Sequence, residues 1–75
     1  MANKLTADAM RYIIARVIDN ANLAAEERAN NDDDFIKGRL MAYYEILDTI
    51  KNELEIEEQD LKEYGLEFEL ETLLK

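Results

Sequence analysis

An unbroken alternation of four- and three-residue spacings between apolar residues constrains the fold of this chain more than any other feature. The spacing runs through the middle of the 75-residue sequence, at Ile36, Leu40, Tyr43, Leu47, Ile50 and Leu54. It places all six side chains on one stripe of an α-helix, as in the seam of a coiled coil. The pattern predicts a helix from about residue 33 to residue 56 that packs against another helix.

A second apolar stripe predicts an earlier helix over about residues 5–30. Thr6 or Asn3 is the expected N-cap, and Asp8 lies in the first turn, where the helix dipole favours a carboxylate. The later positions of the stripe are alanines, so a neighbouring helix can approach closely there. The members of the stripe are Met10, Ile13, Ile14, Val17, Ile18, Ala21, Ala24 and Ala25.

Residues 30–34, between the two helices, are all asparagine or aspartate. Both residue types favour left-handed backbone, helix caps and turns. We expect a tight turn here, with Asp32 or Asp33 as the N-cap of the second helix and the next acid in its first turn. A connection this short makes the two helices antiparallel neighbours.

The facing stripes of this helical hairpin predict the core of a single chain. The predicted core residues are Met10, Ile13, Ile14, Val17, Ala21, Leu40, Tyr43, Leu47, Ile50 and Leu54.

Gly38 lies inside the predicted second helix. Glycine costs ~1 kcal/mol relative to alanine inside a helix, so Gly38 indicates the close approach of another backbone.

The C-terminal segment, residues 58–74, has a weaker pattern. The run 61–66 is typical of a helix end, in which Gly65 takes the left-handed position after the cap and Leu66 contacts Leu61. Leucines at 66, 70, 73 and 74 fit helical spacing, whereas residues 66–71 also alternate with the period of a strand. We interpret the segment as a short third helix, with an intermolecular strand as the alternative. The chain is thus expected to be one all-α domain, 1–75.

Several residue types needed for catalysis and metal binding are missing. The chain has no serine, cysteine or histidine, so it cannot supply a Ser-His-Asp or Cys-His arrangement or a zinc site of those ligands. The aspartates at 32–34 lack the spacing, the glycine and the distal glutamate of an EF-hand loop. We therefore expect no catalysis, no metal and no cofactor.

The net charge of −9 is unevenly distributed. Residues 1–30 sum to zero, whereas residues 52–75 carry nine acids against two lysines. This acidic field disfavours direct contact with nucleic-acid phosphates and favours a basic protein surface as partner. The opening residues lack the apolar region of a secretory signal, and no apolar run reaches the ~20 residues of a membrane span, so the expected location is the cytoplasm.

The middle of the second helix is apolar nearly all round, and one antiparallel neighbour covers only one side of it. Soluble monomers rarely expose large apolar patches, and two-fold dimers are the commonest way to hide one. We expect a four-helix-bundle-like homodimer, with the C-terminal segment folded back over the patch as the alternative. The candidate interface residues are Phe35, Arg39, Met41, Tyr44, Ile46, Leu66, Phe68 and Leu70.

The expected function is protein binding through helical interfaces, as a small acidic regulatory or accessory module without catalysis. The alternative is a surface that mimics the spaced charges of nucleic acid and blocks a DNA-binding or defence protein. In size and charge the chain resembles small acidic helical inhibitors from phages and mobile elements.

Overall fold

The computed structural model describes residues 5–31 and 33–74 and places two long helices side by side. Helix α1 spans Ala7–Asn30, and helix α2 spans Asp34–Ile56. Two short 3₁₀ helices follow, at Leu61–Tyr64 and Leu70–Leu74. The described residues contain no strand, so the all-α class and the helical hairpin predicted from the sequence are confirmed.

Side-chain caps set the start of both long helices. The Thr6 hydroxyl oxygen accepts a hydrogen bond from the Ala9 amide at 3.0 Å. The Asp33 carboxylate accepts from the amides of Phe35 and Ile36 at 2.7 and 3.3 Å. Both caps were among those predicted, because short polar side chains satisfy the unpaired amides of a first turn. Asn3 and Asp32, the other candidate caps, lie outside the described residues.

The hairpin core follows the two predicted stripes with one exception. Nine of the ten predicted core residues are buried or half-buried, whereas Ile13 is 43% exposed. Ile13 lies about 100° around α1 from the fully buried Ile14, and therefore on a flank of the helix. The fully or nearly fully buried residues of the hairpin are Ile14, Ala21, Ala24, Ile36, Leu40, Leu47 and Leu54.

The end of α2 is a Schellman closure built on a glutamate. Glu58 has a positive φ of 56°. The Gln59 amide donates to the Leu54 carbonyl at 2.8 Å, and the Glu58 amide donates to the Glu55 carbonyl at 3.0 Å. These two bonds satisfy carbonyls of the last turn and reverse the chain. The sequence did not predict this turn, because glycine is the usual residue at its left-handed position.

The C-terminal segment folds back onto the hairpin. Gly65 is left-handed, with φ of 74°, and the Leu66 amide donates to the Leu61 carbonyl at 3.0 Å, as predicted. This closure ends a separate four-residue 3₁₀ helix, and the expected third helix is likewise only the 3₁₀ helix Leu70–Leu74. Leu66, Leu70 and Leu73 are buried in the same core cluster as Leu40 and Leu47. The structure therefore shows the fold-back alternative within one chain.

Side chains from both long helices hold the backbone of this segment. Lys51 Nζ donates to the Phe68 carbonyl at 2.9 Å, and an Arg28 guanidinium nitrogen donates to the Leu74 carbonyl. The Tyr44 hydroxyl bonds the Glu71 carboxylate at 3.3 Å. The first two bonds satisfy backbone carbonyls, which matters because the 3₁₀ helices of this segment are too short to satisfy many of their own backbone groups. The third bond joins two side chains.

Gly38 does not have the close neighbour that the sequence analysis predicted. A Cβ added at this position would meet no heavy atom within 4 Å among the described residues beyond its local backbone. Gly38 is exposed on the outside of α2. The close-approach prediction is therefore wrong for contacts within this chain.

Candidate functional site

The hairpin has two faces that differ in what lies against them. The C-terminal segment lies over one of them, the covered face, which presents Ile18 from α1 and Tyr44 and Lys51 from α2. A Cβ on Gly65 would lie 3.7 Å from Ile18 Cδ1, which shows how closely the segment follows α1. The opposite face, the open face, carries no element of the described chain. Its residues are Ile13, Val17 and Glu27 of α1 and Phe35, Arg39, Ile46 and Ile50 of α2.

An ion pair links the two helices at the turn end of the open face. Arg39 Nη1 lies 2.9 Å from Glu27 Oε1, and Arg39 Cζ lies 6.0 Å from the centroid of the Tyr43 ring. The Tyr43 side chain and, after it, the Glu27 carboxylate raise the pKa of Arg39 above its usual value, so this side chain stays cationic. Exposed ion pairs of this kind add little stability. This pair nevertheless shows that Glu27 of α1 and Arg39 of α2 lie on the same face of the hairpin.

The middle of the open face is an apolar strip. Glu27 lies opposite Arg39 near the turn, and at the other end Met10 lies beside Ile50. The antiparallel register between these two points places Ile13 across from the region of Ile50, and both side chains reach solvent. Ile46 is 47% exposed on the same side of α2, whereas Phe35, which is 73% exposed, lies beyond Arg39 at the turn end of this face. The strip is thus a surface of large apolar side chains that no part of the described chain covers.

A groove of about 340 Å³ lies at the end of the open face away from the turn. Its floor is apolar and comes from both helices, with Met10 from α1 and Ile50 and Leu54 from α2. Its rim is polar and comes from α2 and the reversal after it. In the part of the chain that the structure describes, the rim residues are Thr49, Glu53, Glu57 and Gln59, of which two are acidic and none is basic. We call this feature the acidic-rimmed groove.

The fold separates the eight candidate interface residues into groups. Phe35, Arg39 and Ile46 lie on the open face. Leu66 and Leu70 lie instead in the core of the chain, at 0% and 3% exposure. The remaining members are Tyr44 and Phe68, which are half-buried where the C-terminal segment docks, and Met41, which lies beside Leu74 at the edge of the covered face.

Some residues of the acidic-rimmed groove were assigned to other roles by the sequence analysis. Met10, Ile50 and Leu54 were predicted as core, and each also contributes to the groove floor. Glu53 and Glu57 were counted only as part of an acidic region. The signal that could have located the groove is the width of the apolar stripes, which is greater than one packed helix pair can bury.

The arrangement offers binding surfaces and little chemistry. Two further cavities are lined by Arg28, Lys37, Met41 and Leu74, and by Arg11, Asp19, Glu63 and Tyr64 among others. Within residues 5–31 and 33–74, no three acidic side chains come together to hold a metal ion. The Glu71 carboxylate raises the pKa of Tyr44, so this hydroxyl keeps its proton at neutral pH.

Comparison with known proteins gives no assignment. No family model, no curated protein and no solved structure matches the chain. None of the helices in the described ranges is both long enough and apolar enough to cross a membrane. The open face and its groove are therefore interpreted from their own geometry and charge.

Proposed function

We propose that this chain is a non-catalytic protein-binding module that recognises its partner through the open face. The observation that supports this is the asymmetry of the hairpin. The chain's own leucines occupy one face, whereas Ile13, Phe35 and Ile46 reach solvent on the other. The proposal is a regulatory or accessory role, in the cytoplasmic location expected from the sequence.

The exposed side chains of the open face can supply binding energy. Full burial of a side chain such as Phe35 or Ile46 contributes about 1.5–3 kcal/mol. Aromatic and large aliphatic side chains at the centre of an interface are typical anchors, provided that the surface around them excludes water. Because both long helices are capped and packed, the open face is ordered before a partner arrives, which lowers the cost of binding.

Site-specific photo-crosslinking tests this proposal. A photoreactive phenylalanine analogue at Ile46 should capture a partner from a lysate of the native host. The matched control carries the same analogue at Tyr12, which is 68% exposed on the outer side of α1. We expect a discrete crosslinked product from position 46 that position 12 does not give. Equal capture at the two positions would show that the open face is not selective.

Nucleic-acid mimicry is the second candidate function. Glu63, Glu67, Glu69 and Glu71 are all exposed, and their backbone is held against the hairpin, so their spacing is constrained. A fixed row of carboxylates can compete for a protein surface that binds phosphates. If the chain acts as such a mimic, capture of the partner should disappear at high salt and in a Glu67→Gln, Glu69→Gln variant, whether or not Ile46 is substituted.

Self-association is a further proposal for the open face. Phe35 and Ile46 favour it, because a homodimer would cover both side chains. The charge of −9 on each copy opposes it. Sedimentation equilibrium of the intact protein and of a Phe35→Glu, Ile46→Glu variant tests it, since both positions are exposed and the fold should persist. A dimer that becomes a monomer in the variant supports self-association, and a monomer in both cases rejects it.

A further inference from the structure

We propose that the acidic-rimmed groove binds a basic amphipathic helix of a partner protein. The inference rests on the proposed function and names the chemistry of what binds. Its basis is the combination of an apolar floor, formed by Met10, Ile50 and Leu54, with the carboxylates of Glu53 and Glu57 on the rim. An occupant that matches both parts must present apolar side chains on one side and cations beside them.

The shape of the groove favours a helix as the occupant. Its floor lies between two antiparallel helices, and such floors are typical sites for an amphipathic helix that inserts one or two apolar anchors. A peptide that binds as an added strand would need the free edge of a sheet, and residues 5–31 and 33–74 form no strand. A proline-rich extended peptide would need an aromatic-lined groove, and the described lining of this groove contains no aromatic residue. At about 340 Å³, the groove has room for a large aliphatic anchor.

The electrostatics of the rim favour a cationic occupant. Glu53 and Glu57 are four residues apart at the end of α2, where like charges repel and where the helix dipole is negative. The last turn of α2 contains no basic residue that offsets this charge. A lysine or arginine from a partner would therefore relieve an unfavourable arrangement that exists in the free chain. A second copy of this chain would instead add a further net charge of −9.

Binding of synthetic peptides tests the proposal. The probe is a peptide of about 15 residues with leucines on one helical face and lysines beside them, a length at which an isolated helix is marginal. One control has the same composition in an order that scatters the leucines, and another has glutamate in place of lysine. We expect only the amphipathic basic peptide to bind the intact protein, and the amide resonances that it shifts to include Met10, Ile50 and Leu54.

A pair of charge-reversal variants makes the test specific for the groove. Glu53→Lys, Glu57→Lys changes the rim, whereas Glu67→Lys, Glu69→Lys makes the same change in net charge at exposed positions outside the groove. The rim variant should bind the peptide about tenfold more weakly than the intact protein. The control variant should bind about as well as the intact protein.

Each contrary result has a definite meaning. Equal weakening by the two variants, or equal binding of the scattered peptide, would show that net charge alone drives binding and would overturn the proposal. A homodimer with contacts at Met10, Ile50 and Leu54 would assign the groove to a second copy and overturn it as well. If the amphipathic basic peptide does not bind the groove while the analogue at position 46 still captures a partner, only this inference is wrong. If the analogue at position 46 also captures no partner, the proposed function is wrong as well.

Discussion

The hairpin and the C-terminal segment bury leucines in the same core, but they reach their structures in different ways. The hairpin consists of two helices of 24 and 23 residues, each with a side-chain cap. The C-terminal segment contains only two 3₁₀ helices, of four and five residues. Long capped helices have strongly periodic apolar patterns and many internal hydrogen bonds, whereas a short 3₁₀ helix has a weaker pattern and few such bonds. The structure of the segment therefore depends on the hairpin surface that it covers.

This difference predicts two levels of stability within one small protein. Loss of a hairpin contact should unfold the whole chain, because the C-terminal segment has no surface to fold on without it. Loss of a contact made by the segment should free residues 61–74 and leave the hairpin partly intact. The following predictions test this difference, beginning with the largest expected effect.

Leu47→Ala should have the largest effect. Leu47 is fully buried in the core cluster that the hairpin shares with the C-terminal segment, and its truncation should cost about 2–5 kcal/mol because a cavity remains. Chemical denaturation monitored by circular dichroism should give a much lower midpoint. Ile46→Ala is the matched control, since Ile46 is 47% exposed and its truncation should cost about 0.5 kcal/mol or less. Similar losses in the two variants would contradict the assignment of the core.

Leu66→Ala should loosen the C-terminal segment in preference to the hairpin. Leu66 is fully buried, and its truncation should cost about 2–3 kcal/mol. In hydrogen exchange, the amides of residues 61–74 should lose protection while those at the centres of α1 and α2 change less. Uniform loss along the chain would show instead that segment and hairpin unfold as a single unit.

Substitutions at the two left-handed residues should act in opposite directions. Gly65→Ala should destabilise by about 1 kcal/mol, because its φ of 74° strains a residue with a Cβ. Ile18 is 3.7 Å away, an ordinary contact, so the cost lies in the backbone. Glu58→Gly should stabilise by about 0.5–1 kcal/mol, because it relieves the same strain at φ of 56°. Urea midpoints of the two variants measured together test both signs.

Added salt should have the smallest effect. Residues 52–75 carry nine acids against two lysines, so repulsion among them should loosen the C-terminal segment near neutral pH. Moderate salt screens this repulsion and should raise the protection of amides 61–74 by about 0.5 kcal/mol or less. The amides of α1, from a region of zero net charge, are the internal control. If the protection of residues 61–74 stays constant, charge crowding does not control the segment.

The sequence predicted those parts of the fold that depend on local signals. The seam from Ile36 to Leu54, the Thr6 and Asp33 caps and the left-handed Gly65 could all be identified from residue type and spacing. The turn at Glu58 could not be identified, because its residue type does not reveal the conformation. Pairing of the C-terminal leucines with the hairpin was only one of two alternatives, since apolar spacing does not say whether the covering surface belongs to the same chain.

The candidate site was less predictable for the same reason. Phe35, Arg39 and Ile46 were named as interface residues and lie on the open face. Leu66 and Leu70 were named with them but are buried within the chain. Which flank of a helix remains open depends on the path of the segment after Glu58, and this path is set by tertiary contacts. The acidic-rimmed groove likewise exists only where residues distant in sequence meet.

The open space over Gly38 has a consequence for the motion of the hairpin. Glycine lowers the intrinsic stability of a helix by ~1 kcal/mol, and nothing in the described chain packs on this position in compensation. Local opening of α2 should therefore start in its early turns, close to the interhelical connection. The acidic-rimmed groove lies at the far end of α2, after more than three further turns without glycine. Local opening that begins at Gly38 can therefore occur without disturbing Ile50 and Leu54 in the floor of the groove.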